Sequence, residues 1–163
     1  MFSTPSRREA LLAALGAGLG IAGCGGGGSD TLEPANATNA GWDDITKMSW
    51  VDVVVGTGGT AGAIVPGGAT ATVIYSGWVY DKRLGNTKGT KVFDNIQFTW
   101  LMGRGRIFSG LEGGATGMKV GGKRTVTAPA NWCFGDEGNT TEGIAPIPPK
   151  AALVLDIELL KVE

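Results

Sequence analysis

The sequence predicts an α+β fold, an antiparallel sheet of five or six strands wrapped around one short helix. Three observations carry this reading. Most apolar runs alternate with period two and are rich in β-branched and aromatic residues, as half-buried strands require. One segment, Arg106–Met118, repeats at helical spacing instead. The 29 glycines mostly punctuate the apolar runs, which favours strands and turns over long helices. A twisted sheet closed over a helix buries the apolar face of each.

The elements follow in order. Trp50–Val55 is a short apolar run ended by Gly56-Thr57-Gly58-Gly59, hence a strand and a turn. Pro66-Gly67-Gly68 is a second turn. Ala69–Tyr80 is a long strand, with Thr70, Thr72 and Ile74 on one face and Ala71, Val73 and Tyr75 on the other. Asp81–Thr90 is polar and reads as an exposed loop. Lys91–Asp94 and Phe98–Met102 are short strands. In Arg106–Met118, Ser109 and Glu112 have capping-box spacing, and Ile107, Leu111 and Ala115 recur at i, i+4 and i+8. Gly110, Gly113 and Gly114 each weaken that helix by about 1 kcal/mol relative to alanine, so it needs a sheet to pack on. Lys123–Ala128 is a strand and Ala130–Ile147 a loop rich in Gly, Pro and Asn. Ala152–Val162 is the last strand, with Leu153, Leu155, Ile157 and Leu159 on one face.

Three segments divide the chain. In residues 1–23, Arg7 and Arg8 precede a short apolar stretch from Ala10 to Ala22, too short for a spanning helix of about 20 residues. It reads as a signal peptide. Ser6–Leu12 resembles a twin-arginine export motif with Ala10 at a position usually large and apolar, so both that route and the general secretory route stay open. Ile21-Ala22-Gly23-Cys24 resembles a bacterial lipobox, which makes Cys24 the lipidated first residue of a membrane-anchored protein; multiple acyl chains anchor stably. Gly25 after the cysteine resembles the pattern sorted to an outer membrane. The expected location is therefore the cell envelope, facing the periplasm or the outer membrane. Residues 24–45 are poor in large apolar side chains and read as a flexible tether. The folded domain is 46–163.

Composition narrows the chemistry. The 163 residues hold 42% hydrophobic side chains, enough for a core, and a net charge of −1 gives no basis for nucleic-acid binding. With no histidine, His-based triads and His metal sites are excluded, and two cysteines cannot make a zinc cluster. Two glycine motifs are decoys. Gly56–Ala61 fits a loose dinucleotide pattern, but Pro66 and Gly67 follow where a helix must start. Gly117–Lys123 has P-loop spacing, but Arg124 stands where Ser or Thr ligates magnesium. Asp136, Glu137 and Glu142 read as a solvated loop and Cys133 as a partly buried small apolar residue.

Four motifs then combine: VIYSGWVYD at 73–81, VFDN at 92–95, GMKVGGKR at 117–124, and IPP at 147–149 before the last strand. Together they resemble the FKBP-type peptidyl-prolyl cis-trans isomerases from about Val53 to Glu163. The resemblance implies an antiparallel half-barrel around a short helix, with an apolar pocket between them that accepts a proline ring. It implies no cofactor and no metal. Tyr75, Phe93, Asp94 and Phe98 are expected to line the pocket, with Ile107 and Phe108 just before the helix. The Phe108 backbone N–H is expected to donate to the substrate carbonyl. Leu111 stands at a floor position usually Trp, Phe134 at a usual Tyr, and Leu155 at a common Phe; Ile147 forms one flank. The segment between Asp94 and Phe98 is shorter than usual, and the basic residue that often partners the aspartate is missing.

What the resemblance implies about function is rotation of X-Pro bonds in exported proteins, with proline-containing polypeptides as partners and weaker macrolide binding. The substituted floor leaves two alternatives open, a non-catalytic chaperone or peptide-binding module on the same fold and a structural envelope lipoprotein.

Overall fold

The computed structural model describes residue 36, residues 40–62 and residues 68–163. The signal segment, Cys24 and most of the expected tether lie outside the described residues, as do Pro66 and Gly67 of the second turn. Among the described residues five strands form one sheet: β1 (Ser49–Val54), β2 (Thr70–Tyr80), β3 (Lys88–Leu101), β4 (Lys123–Ala128) and β5 (Leu153–Val162). Their order is β1-β4-β5-β2-β3, and every pairing is antiparallel. Among the described residues one α-helix, α1 (Ser109–Ala115), packs on the inner face.

The period-two reading holds best in the centre. On β5, Leu153, Leu155, Ile157 and Leu159 are all at most 2% exposed. Each contributes about 1.5–3 kcal/mol of gross apolar burial. On β2, Ala71, Val73, Tyr75 and Val79 are buried while their neighbours are half-buried.

Three expectations change. Lys91–Asp94 and Phe98–Met102 belong to one 14-residue strand, β3. Only three residues separate Asp94 from Phe98, too few for a loop. Asn95 absorbs the irregularity in the left-handed region (φ 52), and its N–H donates to Ser76 Oγ at 3.0 Å. The helix is also shorter than the 106–118 pattern. Phe108 is its N-cap without a side-chain cap bond, and Glu112 instead accepts the Gly103 N–H, so no capping box forms. Ile107 and Phe108 therefore precede the helix. Finally, Ala40 and Trp42, inside the expected tether, are buried in the core, and Trp42 Nε1 donates to the Tyr80 carbonyl at 2.6 Å. Folded structure therefore starts before residue 46, because one indole in a polar stretch buries enough surface to order its neighbours.

The glycines of α1 have a packing reason. A Cβ on Gly114 would come within 2.8 Å of Val126 and 2.9 Å of Ile157, and one on Gly110 within 3.1 Å of Ala128. Glycine costs helix propensity but lets α1 lie directly on β4 and β5. Arg124 then fastens the far end. Its Nη1 donates to the carbonyls of Gly114 (2.9 Å) and Thr116 (3.0 Å), and its Nε donates to Asp52 Oδ1 on β1 (2.6 Å). The two glycine decoys meet each other: Thr57 and Gly58 N–H groups both donate to the Val120 carbonyl, and a Cβ on Gly56 would strike backbone at 119–122. Close backbone approach, rather than phosphate, accounts for both motifs.

Candidate functional site

The site forms where α1 begins. Tyr75 and Phe93 are inward-facing on adjacent strands, Phe108 caps the helix, and Phe134 enters from the loop after β4. Their rings form one cluster. Tyr75 and Phe93 centroids are 5.5 Å apart, Phe93 and Phe108 6.0 Å, Phe93 and Phe134 6.0 Å, and Phe108 and Phe134 5.4 Å. Tyr75 also meets Phe108 edge-on at 6.4 Å. Each such pair contributes about 0.5–1.5 kcal/mol beyond its area. Tyr75 and Phe93 are buried, whereas Phe108 and Phe134 are half-buried and form the accessible side.

Beneath the rings lie Leu111, Leu155 and Ile147, each at most 1% exposed and all in the same core cluster. Ile107 packs against that cluster as a half-buried residue. Ile147 is held by a two-bond bridge to Asn139 across the long loop: its N–H donates to the Asn139 carbonyl (2.8 Å) and its carbonyl accepts from the Asn139 N–H (2.9 Å). Gly138 makes room, since a Cβ there would sit 2.2 Å from the Ile147 oxygen.

Two expected pocket residues stand apart. Asp94 is solvent-exposed, and its carboxylate pairs with Lys91 Nζ at 2.9 Å. Lys91 lies three residues before it on the same strand, so a basic partner exists on the other side of the aspartate from the shortened segment, but the pair faces water. Phe98 shares the inner sheet face through its pairing with Val73. It is 36% exposed, and its ring contact is with Trp100 at 6.1 Å, not with the cluster. Continuation of β3 through the shortened segment separates both residues from the four rings.

One contributor escaped the sequence reading. Gly77 pairs with both Phe93 and Leu155, and a Cβ there would lie 2.7 Å from the Phe93 ring and 3.0 Å from Leu155. Its bare backbone lets the wall ring and the floor meet. The available signal was a glycine inside a strand pattern, which marks a close approach.

The electrostatics are those of an apolar site. Burial raises the Tyr75 phenol above its ordinary pKa, so it stays neutral. Burial pushes the Cys133 thiol up to about 12, which leaves no nucleophilic thiolate at neutral pH. Among the described residues no acceptor pairs with the Phe108 N–H, so a donor stands free at the helix start beside the rings. A hydrophobic cage with one backbone donor can hold a ring and orient its carbonyl.

Known proteins are similar to this chain in sequence and fold. A family model described as FKBP-type peptidyl-prolyl cis-trans isomerase matches residues 62–160. An FK506-binding protein from Neisseria meningitidis serogroup C is 40% identical over 96 residues, covering 58% of this chain and 81% of that protein. The chloroplastic isomerase FKBP16-4 of Arabidopsis thaliana is 31% identical over 119 residues, 71% of this chain and 48% of that protein. Among solved structures, AtFKBP13 matches with a TM-score of 0.54 and 30% identity, covering 70% of this chain and 91% of that chain. FkpA from Escherichia coli matches with a TM-score of 0.53 and 25% identity over 72% of this chain, which spans about half (49%) of FkpA. The family match spans most of the sheet and all of α1, and the chain belongs to the FKBP-type peptidyl-prolyl cis-trans isomerases.

Proposed function

We propose that this isomerase domain works on exported polypeptides from a lipid anchor at Cys24, with the four-ring cluster and the free Phe108 N–H as its reacting surface. The cluster is the observation that carries the assignment of the site. The X-Pro bond rotates over a barrier of about 18–20 kcal/mol because amide resonance keeps it planar. That resonance places negative charge on the carbonyl oxygen, and water stabilises it. Phe93, Phe108, Phe134 and Tyr75 offer no such stabilisation. The twisted imide, with little charge separation, is favoured there over either planar isomer, which is the condition for catalysis. The Phe108 N–H holds the proline's own carbonyl, not the oxygen of the rotating imide, while the bond turns. No proton transfer is needed. Macrolide ligands fit the same cage more weakly, because Leu111 and Leu155 offer no ring to stack against.

The export context is supported by the lipobox-like Ile21–Cys24 and the arginine-led apolar segment before it. Cys24→Ser is expected to move the protein from the membrane fraction to the soluble fraction; retention in the membrane would remove the anchor from this reading.

One observation favours a second reading, a peptide-binding module without catalysis. The four rings already touch one another over a leucine floor, so a proline ring must part them. Isomerisation of a prolyl tetrapeptide in a protease-coupled assay decides between the two. Micromolar protein is expected to accelerate the cis-to-trans phase; an unchanged rate with intact peptide binding would leave the module reading.

A further inference from the structure

We propose that the β1 edge, joined to the ring cluster by an apolar strip, is a second docking surface for the client polypeptide and takes an extended apolar stretch away from the X-Pro bond. The proposal rests on the isomerase reading above, since the occupant is that enzyme's own substrate.

The surface is unusual in size and chemistry. Five of the nine exposed large hydrophobics among the described residues lie between positions 50 and 55: Trp50 (50% exposed), Val51 (68%), Val53 (65%), Val54 (45%) and Val55 (73%). Together they leave on the order of 500 Å2 of apolar surface, divided by the pleat of the strand. Trp50, paired with Val126, lies on the helix side, and Val51, paired with Thr125, on the other, so a strand added at this edge meets apolar side chains on both faces. Among the described residues β1 pairs with β4 alone, so its outer edge presents backbone donors and acceptors. Such edges are normally blunted by charge or proline. Here Asp52 is the one charged residue of the strand, and Arg124 holds its carboxylate. A bare, apolar edge of this kind suits strand addition by an extended chain.

The edge is connected to the site. A Cβ on Gly113 of α1 would meet Met48 Cε and Trp132 Cζ3, both at 3.1 Å. Met48 and Trp132 therefore lie side by side over the helix. Trp132, 39% exposed, is two residues from Phe134 of the cluster, and Met48 immediately precedes β1. An apolar strip thus runs from Phe134 through Trp132 and Met48 to Trp50.

This continuity selects the occupant. The segment preceding the domain, Gly25–Asn39, has Leu32 as its one large apolar residue and offers little to the valines. A second copy, paired edge to edge, would bury about 1,000 Å2 in total, the lower bound for a specific interface. It would also bring the ladder irregularity between Asp52 and Val54 from both partners into one seam. An unfolded client needs neither symmetry nor a regular ladder.

The test compares the full chain with the double variant Val51→Lys/Val53→Lys and, separately, Trp132→Ala. Both sites are exposed, and an unchanged thermal midpoint confirms folding. The probes are a prolyl tetrapeptide, a reduced and carboxymethylated protein whose refolding is limited by a prolyl bond, and fluorescently labelled, permanently unfolded α-lactalbumin. The lysine variant is expected to keep tetrapeptide kcat/KM within about twofold. Its KM for the refolding protein and its Kd for α-lactalbumin should rise about tenfold. Trp132→Ala should move the same way by a smaller factor. Equal KM and Kd in wild type and lysine variant would overturn the proposal. So would a wild-type dimer in sedimentation that the lysines dissociate, because the occupant is then a second copy. Failure of wild-type tetrapeptide catalysis with α-lactalbumin binding still lost in the variant would remove the catalytic reading and keep the docking surface.

Discussion

β1 and β5 are written in the same alphabet and meet opposite fates. Both alternate valine or leucine with acidic or polar residues. On β5 the inner side chains are sealed between β2, β4 and α1; on β1 every residue is exposed. Position in the sheet makes the difference. β5 has a neighbour on each side and a helix across its face, whereas β1 is an edge tied to the helix through Arg124 of β4. Apolar content therefore says that a strand exists, and sheet order says whether it is core. The unburied strand is then free for binding.

The largest expected effect sets these two strands against each other. Leu155→Ala should cost about 2–5 kcal/mol, the range for deleting a fully buried leucine. Val53→Ala should change stability by no more than about 0.5 kcal/mol. Urea unfolding of both variants reads the contrast directly; equal losses would place β1 in the core. An intermediate effect tests what holds β1 in place. Arg124→Met removes the donor to two helix carbonyls and to Asp52, and should cost about 1–3 kcal/mol. Hydrogen exchange should show β1 opening before β5. Uniform protection across the two strands would mean that burial, not this arginine, secures the edge.

The smallest effect concerns pH at the end of β2, on the buried side of the sheet. Asp81 accepts from Arg83 Nε (2.8 Å) and Nη2 (2.7 Å), and that guanidinium holds its carboxyl below the usual range. A depressed folded pKa means that the unfolded state takes up the proton first. The contribution is complete above the unfolded value of about 3.9 and is lost as pH falls through the folded value. Stability should thus decline below about pH 4, and Asp81→Asn should flatten that decline. Parallel acid limbs for wild type and variant would exclude Asp81 as its source.

Much of this was legible in the chain. β2, β4 and β5 have near-ideal alternation, and their boundaries were readable within a residue or two. The four rings of the cluster were each named from the family resemblance, Tyr75 and Phe93 within its motifs and Phe108 and Phe134 outside them. What was not legible depended on neighbours distant in sequence. Nothing local in VFDNIQF says that β3 runs unbroken through Asn95; that required Ser76 on the adjacent strand. Asp94 and Phe98 were expected beside the rings on the pattern of a longer loop, and the unbroken strand turned one to water and the other toward Trp100. Gly110 and Gly114 read as weak points and Gly77 went unread, yet each permits a contact that any Cβ would obstruct.

By itself the sequence determined the element types, the inner faces of the central strands, the aromatic inventory of the site and the family. Periodicity and local chemistry are properties of short segments, so they survive without three-dimensional context. Only the tertiary structure decided which alternating strand became core and which an open edge, where the helix could lie, and which aromatic rings met. Those outcomes depend on pairings across tens of residues, where one strand's neighbour, and not its own composition, determines what it buries.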